Sequence, residues 1–144
     1  MKKFFNSLLH KFNITTSKVV TFALETGDEV KVEFNTTDGY NIIKDVPFEI
    51  TLNNETQTVG TFITKDMVAE HVKLIASGDP NAEFIETDVK DGTEYTFWSY
   101  DNEEYKEYNI VASIKDSNIG ILLGNPISEE SARECFDRLT ISMV

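Results

Sequence analysis

The sequence predicts a single α+β domain built around antiparallel strands. Three observations carry this. From residue 18 most of the chain alternates apolar and polar residues with a period of two, and short turn signals interrupt it. Two later stretches switch to helical spacing and carry helix-start residues. The 144 residues are 40% hydrophobic and 11% aromatic, with ten Phe, enough to fill one core. A chain of this size removes roughly 70% of its unfolded surface from water and needs no staple.

The elements follow in order. Val19 to Leu24 reads as a strand, Thr26 to Asp28 as a turn, and Val30, Val32 and Phe34 alternate with Lys31 and Glu33. These two runs form a hairpin. Short strands follow at Tyr40 to Ile43 and Phe48 to Leu52, and the Asn53-Asn54-Glu55 turn leads into Gln57 to Ile63. Thr64 is the N-cap of a helix over about 65–77, with Asp66 in its first turn and Val68, Val72 and Ile75 as its stripe. Gly78 ends it in the left-handed conformation. A meander comes next: Ala82 to Val89, Thr93 to Tyr100, Tyr105 to Ile114, and a fourth strand from Ile119 to Leu123. A four-residue turn that pairs Tyr100 with Tyr105 sets Phe97 opposite Tyr108 and Tyr95 opposite Ile110. That face is the core. Ser128 caps a last helix, with Glu129 and Glu130 in its first turn. Ala132, Cys135, Phe136 and Leu139 form its buried stripe. Thr140 to Val144 is a short apolar tail.

Residues 2–12 read as an amphipathic helix, with Phe4, Phe5, Leu8, Leu9 and Phe12 on one side and lysines largely on the other. The basic start resembles a signal peptide, but polar residues cut the apolar stretch and no small-residue cleavage site follows. Three uses compete: packing on the domain, which is favoured, lying on an anionic membrane surface, or docking onto a partner.

The formal charge is −12, with 13 Lys and Arg against 25 Asp and Glu. It is unevenly spread: residues 1–24 hold Lys2, Lys3, Lys11 and Lys18 and no acid. Such a body repels phosphate backbones, which argues against a nucleic-acid partner; the acidity reads first as maintaining solubility, and it also suits a basic partner. Its apolar runs are too short to span a membrane.

Little in the sequence points to chemistry. His10 and His71 lie in separate elements, and one Cys with two His cannot form a Cys/His zinc site. The acid-rich stretches at 88–94 and 101–107 lack the calcium-loop pattern. Cys135 falls on an apolar stripe and reads as an inert buried thiol. There is no nucleophile elbow and no glycine-rich phosphate loop. No catalytic residue, metal or cofactor is therefore assigned. The aromatic set Trp98, Tyr100 and Tyr105 is where a binding reading starts. It falls on the second face of the meander, beside Glu103, Glu104 and Glu107, and large rigid aromatics anchor interfaces. The favoured reading, however, is that a helix covers this face as a second core layer.

The stretch from about Val59 to Val144 resembles the closing half of Mog1/PsbP/DcrB-like (DUF1795-type) domains. The likeness rests on the Gly92 to Tyr95 strand start, on Ile119 to Leu123 leading into Ser128 to Ser131, and on Phe136 followed by the tail through Ser142. The resemblance implies an antiparallel β-sheet with helices packed on both faces, an α/β/α sandwich. It also implies binding proteins in place of enzymes. No lipobox cysteine is present, which points to the cytoplasm. The expectation is a non-enzymatic protein-binding domain over 1–144, a bacterial adaptor or chaperone. Its candidate partner-binding residues are Trp98, Tyr100, Tyr105, Phe4, Leu8 and Phe12. Two alternatives stand beside it. One is a small-molecule-binding protein or enzyme with a pocket between the 65–77 helix and a curved sheet. The other is an acidic immunity protein that neutralises a basic toxin. Partner identity and oligomeric state are not legible.

Overall fold

The computed structural model describes residues 16–45 and 47–144. The helix expected over 2–12, with Phe4, Leu8 and Phe12, lies outside the described residues. Within them the chain forms strands β1 (Ser17–Ala23), β2 (Glu29–Asn35), β3 (Tyr40–Ile43), β4 (Phe48–Leu52) and β5 (Glu55–Thr64), then helix α1 (Lys65–Ala76). There follow β6 (Ala82–Lys90), β7 (Thr93–Asp101), β8 (Lys106–Ser113), β9 (Ile119–Asn125), helix α2 (Glu129–Asp137) and β10 (Leu139–Met143).

The strands make two sheets. One has three strands in the order β1-β2-β10, the other seven in the order β3-β4-β5-β9-β8-β7-β6. Every pairing is antiparallel. This corrects the expected sandwich with helices on both faces: the described chain is mostly β, and its two helices are short. The physical reason lies in the tail. Residues 139–143 do not trail off the last helix; they pair with β2, Ile141 opposite Val32 and Leu139 opposite Phe34. The β2 alternation buries Val30, Val32 and Phe34 completely. That stripe packs into one core with Ile42, Phe48 and Ile50 of the large sheet. A second sheet therefore takes up area where a helical layer was expected. Phe22 joins the two sheets, its ring 5.5 Å from Phe48 and 5.0 Å from Phe62.

Helix α2 sits on this core side. Ser128 Oγ accepts from the Ser131 amide at 3.0 Å, as the cap pattern implies. Ala132, Cys135 and Phe136 are buried beneath it. Leu139, expected on the helix stripe, is instead the first residue of β10 and equally buried. Three cations hold α2 in place. Arg133 pairs with Glu86 at 2.5 Å and lies over the Phe97 ring. Lys90 Nζ donates to the Phe136 and Leu139 carbonyls at the helix end, where a positive charge meets the negative dipole. Arg138 pairs with Glu134 and also donates to the Thr37 carbonyl, tying the helix end to the turn before β3. Asn125 lies buried at the α2 entrance; it donates to Thr58 and Ser131 and accepts from the Ile127 and Ser128 amides.

The meander register differs from the expected one by two residues. Phe97 faces Ile110, Tyr95 faces Ala112, and Tyr100 faces Glu107. A shift of two keeps every side chain on its face, so Phe97 is in the core as expected. The shift comes from the turn. Asp101 Oδ1 accepts from the Glu103 amide and Asn102 Oδ1 from the Tyr105 amide, so Asp101 and Lys106 close the hairpin. Tyr105 is thereby taken off the strand.

Candidate functional site

Helix α1 lies on the face of the large sheet opposite the core. Thr64 Oγ1 accepts from the Met67 amide at 3.2 Å, Asp66 occupies the first turn and Lys73 the last. Gly78 follows the cap residue Ser77 with φ +86°, the left-handed geometry a side chain would strain. The helix docks on a notch: a Cβ at Gly120 would run into Val68 Cγ2 and crowd the Ala112 carbonyl. Val68, Trp98 and Val111 make a small second core there, joined by Ile63, Ile75 and Leu122.

Beyond this anchor, the second half of α1 and the sheet leave an open groove of about 390 Å³. His71, Leu74 and Ile75 line it from the helix, and Asp79 from the loop that follows. Trp98 and Tyr100 of β7, Glu107 and Asn109 of β8, and Leu122 of β9 form the sheet side. His71 Nδ1 lies 2.8 Å from the Met67 carbonyl. A carbonyl only accepts, so Nδ1 carries the proton and Nε2 is left for other partners. The His71 ring is 6.1 Å from that of Trp98.

Two oxygens meet at the floor. Built from the Gly124 backbone, a Cβ would lie 3.3 Å from Asn109 Oδ1 and 3.4 Å from Glu107 Oε1. Gly124 stands opposite Asn109 in the ladder, so its missing side chain leaves room beside both acceptors. Asn109 is only 6% exposed, and among the described residues no hydrogen bond to its side-chain amide is formed. The carboxylate of Glu107 likewise has no ion-pair partner among them. Arg133, Arg138 and Lys90 are all engaged elsewhere.

An apolar rim adjoins the groove. Leu74 is 61% exposed and Phe84 56%. A bulge at Phe84/Glu86 in β6 sets Phe84 directly opposite Trp98 and turns Ile85 toward the core. A separate apolar cleft of about 540 Å³ opens near Phe22, Leu24, Phe62, Ile63, Met67 and Ile119. Among the described residues it includes none of Trp98, Tyr100 and Tyr105.

The expected residues are thus divided. Trp98 and Tyr100 lie on one face and line the groove, but Trp98 is 6% exposed beneath α1 and does not protrude as an anchor. Tyr105 is exposed in the β7–β8 turn, away from the lining, because of the register shift. Phe4, Leu8 and Phe12 lie outside the described residues. The sequence reading missed His71, Leu74, Phe84 and Asn109. Alternation from Trp98 across the correct register would have found Asn109; nothing in the residue string marks the bulge that places Phe84.

Among the described residues no three His, Cys, Asp or Glu side chains gather in a way that could hold a metal ion. None of their helices is long and apolar enough to cross a membrane. No protein-family model matches the chain, and no curated protein matches it.

Proposed function

We propose that this chain is a non-enzymatic protein-binding domain that docks a basic, apolar-bearing segment of another protein at the α1–β6 rim. The observation that carries the reading is the juxtaposition of exposed Leu74 and Phe84 with a groove that Asp79 and Glu107 line and, among the described residues, no Lys or Arg does. Apolar area supplies affinity, and a chain of charge −12 attracts and orients a cationic partner. A cytoplasmic adaptor or chaperone fits this description. So does an immunity protein that meets a basic toxin, for which the strong acidity is the specific support.

The test is photo-crosslinking in the native host, with p-benzoylphenylalanine at position 74 or 84 and at position 31 as a control on the outer face of the small sheet. The expected result is a discrete adduct from 74 and 84, absent from 31, whose cross-linked peptide is rich in Lys or Arg. Adducts from 31 alone, or none from 74 and 84, overturn the reading.

A further inference from the structure

The groove floor brings two acceptor oxygens together beside Gly124. Asn109 Oδ1 and Glu107 Oε1 both lie within 3.4 Å of one point above Gly124. Asn109 is more than nine-tenths buried, and its amide has no partner among the described residues. No side-chain nitrogen or oxygen among the described residues is sealed from solvent without a partner, so the Asn109 amide opens into the groove, where a ligand can reach it. The Trp98 and Tyr100 rings stand beside it, and aromatic rings attract cations. Among the described residues no Lys or Arg lines the groove.

We infer that this floor takes the guanidinium of an arginine from the docked partner, donating to Glu107 and Asn109 over the bare Gly124 and resting against Trp98. A guanidinium fits better than an ammonium. Its planar fork can serve two oxygens from different residues at once, and it gives up its hydration more readily. The inference rests on the docking reading and names the side chain that reading would place in the groove.

Trp98 is the only tryptophan of the chain, so its indole reports this site alone. The experiment titrates the ¹⁵N-labelled full chain with the capped tripeptide acetyl-Leu-Arg-Leu-amide. It follows the Trp98 indole and the Asn109 side-chain amide by NMR. Both signals are expected to shift saturably. Binding is expected to weaken at least tenfold when citrulline replaces arginine and at least threefold when lysine does. Glu107→Gln should weaken it at least fivefold, while Glu104→Gln, the same charge change outside the groove lining, should leave it within twofold. Equal binding of the arginine and citrulline peptides, an equal effect of the two glutamate variants, or no saturation by 20 mM overturns the inference. If crosslinks from 74 and 84 still form when the tripeptide does not bind, docking stands and the arginine assignment falls.

Discussion

Trp98 and Asn109 stand directly opposite each other in the β7–β8 ladder, a buried indole beside an amide that opens into the groove. The pair links packing to recognition. Trp98 supports α1 through Val68, and α1 in turn forms one wall of the groove that Asn109 faces.

Truncating the indole should therefore cost packing. Trp98→Ala is expected to lower stability by about 3–5 kcal/mol, the range for a large aromatic removed from a core. Urea denaturation measures it. A loss below about 1 kcal/mol would mean that α1 does not seal this residue from water.

The glycine notch sets how closely α1 approaches. Gly120→Ala places a methyl where Val68 sits, and overpacking of this kind costs about 1–3 kcal/mol. Because the helix must move, the Trp98 emission should also shift to the red. The double variant Gly120→Ala with Val68→Ala should recover part of the loss, which a chevron or equilibrium titration would resolve.

Asn125 organises the α2 entrance through four hydrogen bonds. Asn125→Leu leaves the Ile127 and Ser128 amides without their acceptor and removes the donor to the Thr58 and Ser131 hydroxyls, although Ser131 keeps its bond to Gln57. We expect a loss of about 2–4 kcal/mol, since each buried group left without a partner carries its own desolvation cost. Thermal melting followed by circular dichroism reads it out; an unchanged midpoint would show that these groups find other partners.

Burial pushes the Cys135 thiol above its ordinary range. The folded chain then holds a proton that the unfolded chain releases. This part of the stability is fully present below the unfolded thiol pKa of about 8.5 and is lost as the pH rises toward the folded value. Stability measured between pH 8 and 10 should fall more steeply in the wild type than in Cys135→Ala. Parallel slopes would contradict the burial of the thiol.

The legible and illegible parts of the fold divide by distance along the chain. Val30, Val32 and Phe34 declare a half-buried strand by alternation, and Thr64 and Ser128 declare helix starts through their own side chains. Each of these signals is local. The pairing of Leu139 with Phe34 joins residues far apart in sequence, and no local pattern encodes it, so the second sheet stayed hidden and a helical layer was expected in its place. The same holds within the site. Trp98 and Tyr100 share a face by simple alternation, whereas Tyr105 left that face through side-chain bonds in its own turn. Phe84 reached it only through a bulge, where Ile85 is the extra residue.

The proposed function requires a basic partner to dock on the rim beside the groove. The most direct measurement is the affinity of the cross-linked partner, once purified, for the wild type and for Phe84→Ser, at two salt concentrations. Phe84→Ser is expected to bind at least tenfold more weakly with an unchanged melting temperature, and added salt is expected to weaken the wild-type complex. Equal affinity of the two proteins, or affinity indifferent to salt, would contradict the proposed function.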